Sequence, residues 1–132
     1  MINYNNKNVN PKNKKVGDCS TRALVGTLNI EYDEALDLQC EIAKETCYGI
    51  TDKQVMEGVL EKFGYIKMKQ PRKENGKKYT VGEMDQVLTQ KQMQEGVFIT
   101  IANHHTCIVK GELQDIWDCR KKSVGNYYVR GE

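Results

Sequence analysis

The chain changes character at Gly96. Before that residue, apolar side chains recur at helical spacing; after it they come in short β-branched runs, and no helical stripe returns. Ala23, Leu24 and Leu28 give a stripe to a helix that opens near Cys19 with Asp18 as its N-cap and Asn29 as its stop. Ala35, Leu36, Leu38, Ile42 and Ala43 predict a second helix after Asp33, ended by Gly49. A third opens at Thr51, where Thr51 and Gln54 have capping-box spacing, carries Val55, Met56, Val59, Leu60 and Phe63, and closes at Gly64. Tyr65 to Lys69 reads as a short strand, Pro71 to Lys78 as a basic loop, and Thr80 as the cap of a short helix with Val81, Met84, Val87 and Leu88. Beyond Gly96, Val97 to Ile101 is a strand, His104 to Val109 and Glu112 to Asp118 are two more around a tight turn at Lys110-Gly111, and Tyr127-Tyr128-Val129 is the last. Helices first and an antiparallel sheet second is an α+β arrangement, with the N-terminal helices packed on the sheet.

Length and charge narrow the function classes. A chain of 132 residues is most simply one domain, with enough residues to bury a core of its own. Its 20 basic and 18 acidic residues leave a net charge of +2, which is not the footprint of a dedicated nucleic-acid binder. The apolar stretches are too short for a transmembrane helix, and the first residues lack the apolar core of a signal peptide. Residues 1–16, rich in Asn and Lys, read as a polar surface arm. Five cysteines, an odd number with no Cys-x-x-Cys pair, imply mostly free thiols in a reducing compartment and hence a cytoplasmic location.

The chemistry-bearing residues sit at the element ends. A cysteine at the first turn of a helix has its thiolate favoured by unpaired backbone N–H groups and by the helix dipole, which singles out Cys19. A histidine pair, His104 and His105, opens a strand far along the chain, and Asp115 follows on the next. If Lys110-Gly111 is a two-residue turn, Val109 pairs with Glu112, and His104, Thr106, Asp115 and Trp117 share one face while His105 and Asp118 point the other way. His104 and Asp115 are then diagonal neighbours. A three-residue loop would bring Asp118 beside His104 instead, so Asp118 is the alternative third residue. Cysteine, histidine and carboxylate in this order suit nucleophilic acyl chemistry, in which the imidazole holds the thiolate and the acid orients the ring.

That order resembles the papain-like cysteine peptidase superfamily, including bacterial and phage peptidases of the NlpC/P60 and C39 groups. More narrowly, Gly17-Asp18-Cys19-Ser20-Thr21-Arg22-Ala23, Tyr32-Asp33-Glu34-Ala35, and His104-His105-Thr106-Cys107-Ile108-Val109-Lys110-Gly111 with Asp115-Ile116-Trp117-Asp118 are similar to a group of small phage and prophage proteins. The resemblance covers about residues 16–129. It implies a papain-like fold, a Cys19–His104–Asp115 mechanism without a cofactor, and a peptide, isopeptide or stem-peptide amide as substrate. The papain group also uses a glutamine upstream of its nucleophile to help bind the oxyanion; the corresponding residue here is Asn13.

Other readings stand beside this one. A papain-like domain that has lost catalysis and binds a protein partner would keep the same pattern with Cys19 merely buried. His104, His105, Cys107 and Cys119 are the residue types of a zinc site, but adjacent strand residues face opposite sides, and no metal is expected. The basic loop at Lys67, Lys69, Arg72, Lys73, Lys77 and Lys78, with Arg120-Lys121-Lys122, reads as a solvated surface with phosphate contact as the alternative. Trp117 packs beside the site or lines a groove, and Arg22, one turn after Cys19, is placed to pair with an acid such as Asp18 or Asp118, with a solvated surface role as the alternative. Oligomeric state leaves no mark on the sequence.

Overall fold

In the computed structural model, which describes residues 1–131, the elements run β1 (Asn3–Asn6), α1 (Cys19–Leu28), α2 (Tyr32–Thr46), α3 (Lys53–Lys62), β2 (Tyr65–Met68), a 3₁₀ helix (Val81–Gln86), α4 (Gln90–Glu95), β3 (Val97–Ile101), β4 (His104–Val109), β5 (Glu112–Asp115) and β6 (Tyr127–Arg130). The chain is α+β, with a six-stranded sheet in the order β1-β5-β4-β3-β6-β2. Among these elements no helix is long and apolar enough to cross a membrane.

The pleat of the central strands divides the interior. Phe98 and Tyr128 face α1, α2 and α3, burying against Ala23, Leu24, Leu28, Ala35, Ile42, Val55, Met56, Val59 and Leu60. The alternate positions Val97, Ile99, Ile101, Ile108, Leu113, Tyr127 and Val129 bury on the other face against the 3₁₀ helix, α4 and the link between them, through Val81, Met84, Leu88 and Met93. Period-two alternation therefore serves two apolar layers, and the sheet is covered on both sides.

The first helix packs tightly on the sheet at Gly26. A Cβ there would stand 2.4 Å from the Cys107 sulfur of β4, so only a glycine lets the two backbones approach this far. Helix α1 ends as expected, with Asn29 in the left-handed region at φ 54°. Gln39, buried on α2, accepts a 2.6 Å hydrogen bond from the Thr21 hydroxyl and donates to the Ile50 carbonyl, so it ties α1, α2 and the loop before α3 together.

Several sequence expectations need correction. Residues 1–16 are not wholly a surface arm: Asn3–Asn6 form the edge strand β1, parallel to β5, so the sheet is mixed rather than antiparallel. Ile2 reaches the core with 3 % of its surface exposed, and its N–H donates to the Gly82 carbonyl at 2.8 Å. Helix α3 begins at Lys53 rather than Thr51, because the Asp52 carboxylate accepts the Gly49 N–H and holds the preceding turn. Strand β5 stops at Asp115 instead of continuing to Asp118. The short α4 is opened by a Thr89–Gln92 capping box, a spacing visible in the chain but set among too few apolar residues to stand out as a helix.

Two substitutions test this packing. Ile2→Ala is expected to cost about 2–5 kcal/mol in urea unfolding, where a free arm would leave stability unchanged. Gly26→Ala is expected to cost about 1–3 kcal/mol through overpacking, and adding Cys107→Ala should recover part of it.

Candidate active site

Cys19 is the first residue of α1, and the residue before it does not cap the helix. Asp18 occupies the N-cap position without a side-chain capping bond. Its carboxylate is used elsewhere: Oδ1 accepts from Arg22 Nε at 2.8 Å, and Oδ2 accepts from the Tyr32 hydroxyl at 2.8 Å and from the Asn10 amide at 3.0 Å. The expected cap is thus replaced by a buried polar cluster. No side chain from the cap position then covers the first-turn amides beside the Cys19 sulfur.

The hairpin has the expected turn. Lys110 and Gly111 both take positive φ, 54° and 76°, as a type I′ turn requires, and Val109 pairs with Glu112. Counting back along this register brings His104 and Asp115 to one face, and His104 Nε2 lies 2.6 Å from Asp115 Oδ2. A carboxylate has no proton to offer when ionised, so Nε2 donates and Nδ1 is the nitrogen left for Cys19. His105 points the other way. Its ring packs on Phe98 at a centroid distance of 5.2 Å, and its Nδ1 hydrogen-bonds the Ser20 hydroxyl at 3.2 Å.

These neighbours set the protonation states. Burial pushes the Cys19 thiol up, but the His104 ring, the His105 backbone amide and the positive charges of His104 and Arg22 outweigh it and hold the thiol below its ordinary value. Burial alone would depress His104; the hydrogen bonds and charges of Asp115 and Cys19 raise it instead to about 9. His105, with burial and the His104 charge both against a proton, falls to about 4. Asp115 is only 2 % exposed, yet His104 and Arg22 keep its carboxyl below the usual range. Cys107 and Cys119, buried without such partners, are pushed up to about 12.

The structure thus brings Cys19, His104 and Asp115 together, and it engages the other named residues elsewhere. Asp118 forms a two-pronged ion pair with Arg120 at 2.8–2.9 Å. Asn13 is exposed, with its side-chain oxygen accepting from Asn8; Asn10 is the arm residue whose amide reaches the cluster. Trp117 lies over the His104 ring at 5.1 Å and remains 38 % exposed. In the basic loop, Lys67 pairs with Glu57 and Lys73 with Glu83.

Arg22 is the partner that sequence reasoning placed only half correctly. It bonds Asp18, as expected, but its second carboxylate is Asp115, reached by Nη1 at 2.8 Å, and not Asp118. The link to Asp115 spans 93 positions, so helical spacing gives no hint of it. Tyr32 and Asn10 were likewise missed as site neighbours, since neither follows a local pattern.

A metal would find few free donors here. His104, Asp115 and Cys119 place ligand atoms within 4.8 Å of one another. However, Asp115 Oδ1 already accepts from Arg22 and the Ile116 N–H, Oδ2 is held by His104, and the Cys119 thiol is strongly disfavoured as a thiolate. His105 and Cys107, the other two residues of the zinc set, lie on the opposite face of β4, toward α1.

Ring-proton titrations by NMR are expected to separate the two histidines, with His104 charged up to about pH 9 and His105 neutral above about pH 4. A raised folded-state pKa gives stability that is complete below the unfolded value near 6.5 and lost as pH rises through the folded value. Cys19, being lowered, acts with the opposite sign, so the His104 contribution shows alone in Cys19→Ala. That variant is expected to lose thermal stability as pH climbs above about 6.5, and Asp115→Asn added to it should flatten the profile.

Compared with known protein families, curated proteins and solved structures, the chain gives no match, and a functional reading rests on these side chains.

Proposed function

We propose that the protein is a small papain-like cysteine peptidase or amidase. The observation that carries this reading is the His104 ring, whose Nε2 is bound to a buried carboxylate while the ring and its charge hold the helix-start Cys19 thiol below its ordinary value. Two groups in one site with their protonation tendencies pushed in opposite directions suit the roles of acid and nucleophile.

The reaction follows from the positions. The Cys19 thiolate attacks the carbonyl carbon of an amide, and the oxyanion that forms accepts a hydrogen bond from the Cys19 N–H at the open helix start. His104, protonated at Nδ1, gives that proton to the nitrogen as the C–N bond breaks, and the amine leaves. Water then attacks the thioester, His104 takes its proton, and the acid departs with the thiolate restored. Asp115 keeps the ring in the orientation these transfers need. A peptide, isopeptide or stem-peptide amide fits this chemistry. The sequence resemblance to small phage and prophage proteins supports a role in the host cytoplasm, where free thiols persist.

Iodoacetamide labelling of the native protein at about pH 6, followed by mass spectrometry of all five cysteines, tests the reading. Cys19 is expected to label first and to lose at least about tenfold of its rate in His104→Ala, while Cys107 and Cys119 stay protected. A peptide vinyl sulfone should then form a single adduct, at Cys19. Any hydrolytic turnover found in a peptide-library screen should fall at least about 10³-fold in Cys19→Ala. Slow, unselective labelling would sink the preformed ion pair and favour a protein-binding module with an inert Cys19.

A further inference from the structure

Arg22 ties together two buried carboxylates that flank the site. It is 8 % exposed and lies between two carboxylates, Asp18 at Nε and Asp115 at Nη1, both at 2.8 Å and both buried. Such a buried ionic group is seldom the most stabilising choice, since well-packed apolar residues of similar volume often do as well or better. Its two ends, however, are not arbitrary. Asp18 immediately precedes the nucleophile, and Asp115 holds the histidine.

We propose that Arg22 is a positioning residue that fixes the segment before Cys19 and the carboxylate behind His104 in one rigid frame. The inference rests on the peptidase or amidase reading and adds a residue to it. The guanidinium is planar, with donors in a fixed fork, so binding Asp18 through Nε and Asp115 through Nη1 sets the separation of the two acids. On Asp115 it occupies Oδ1 together with the Ile116 N–H, which leaves Oδ2 turned toward His104. On Asp18 it draws away the carboxylate that would otherwise cap α1, which helps keep the helix start open at Cys19. Arg22 touches no reacting atom in this scheme; it acts through Asp115 and Asp18.

Other groups also face this frame, among them the Tyr4 hydroxyl on the Asp115 carbonyl, which burial and the Asp115 charge push up. Tyr32 from α2 and Asn10 from the arm bind the Asp18 carboxylate, and the Cys119 thiol lies 3.9 Å from Asp115 Oδ2. Tyr32 is pushed up to about 12 and Cys119 to about 12, so neither changes charge between pH 5 and 9. A shift of the Cys19 profile in that window on changing Arg22 therefore reports on Cys19, His104 and the two acids.

The test is the rate of Cys19 alkylation by iodoacetamide from pH 5 to pH 9 in the wild type, Arg22→Gln and Arg22→Lys, with folding checked by circular dichroism. Removing the positive charge makes the thiolate harder to form, so in Arg22→Gln the acidic limb is expected to move to higher pH, with about tenfold slower labelling at pH 6. Lysine restores the charge but lacks the fork, and Arg22→Lys is expected to fall between, at about threefold slower. The His105 ring titration, which Arg22 does not touch, should stay in place. If Arg22→Gln does not fold, Arg22→Lys decides alone. Wild-type labelling in Arg22→Lys would overturn the proposal, because charge without the span would then suffice. A wild-type profile with no acidic Cys19 limb would remove the catalytic reading itself, and the positioning role with it. An acidic wild-type limb left unmoved by both folded variants would remove the positioning role alone.

Discussion

The Asp115 carboxylate is almost wholly removed from water and still carries its charge, and much of the architecture around it can be understood as the compensation this requires. One oxygen is met by Arg22 from α1 and by the next backbone N–H, the other by His104 from β4. The residue's own carbonyl is met by the Tyr4 hydroxyl and the Lys7 N–H, both from the N-terminal segment. Three other parts of the chain therefore converge on one acid at the end of β5. Losing any one charged partner would leave a buried carboxylate short of countercharge. For that reason the site and the fold are not separable in this small protein.

The N-terminal segment belongs to this arrangement although its composition conceals it. Asn3 to Asn6 carry few β-formers and little apolar surface, and a strand needs neither when it lies at a sheet edge and is tied by backbone bonds. Its anchor is the single buried side chain of Ile2. Asparagine and lysine content is a sound guide to exposure and a poor one to pairing, because edge pairing is made by backbone groups that every residue carries. The same reasoning explains the one parallel contact in an otherwise antiparallel sheet: no turn chemistry marks it, since its two strands are joined by most of the chain.

What could be read from the sequence was whatever local geometry determines. The helix start at Cys19, the stop at Asn29, the tight two-residue turn at Lys110-Gly111 and the pairing of Val109 with Glu112 follow from residue type and short spacing, and the structure has each of them. From the turn, the pleat alone assigns His104 and Asp115 to one face. What could not be read needs long-range partners: Arg22 on Asp115, Tyr32 and Asn10 on Asp18, and the second apolar layer formed by the 3₁₀ helix and α4. Asp18 shows both sides of this. Its position before the helix was legible, but its function there was not, because tertiary donors outcompete the helix amides for its oxygens.

The two histidines give the sharpest lesson in how position rather than residue type makes chemistry. They are neighbours in one strand and share the same backbone. The pleat turns His104 toward a carboxylate, a thiol and a half-exposed tryptophan, and turns His105 toward Phe98 and a serine hydroxyl. Burial acts against the proton in both. Only His104 has negative partners to reverse it, and the charge it then holds further lowers its neighbour. A one-residue slip at the hairpin would exchange these environments, giving the acid a ring that points away from it and leaving the Cys19 thiol without an imidazolium. The tight turn at Lys110-Gly111, remote from the reacting atoms, is therefore what decides which histidine faces the acid.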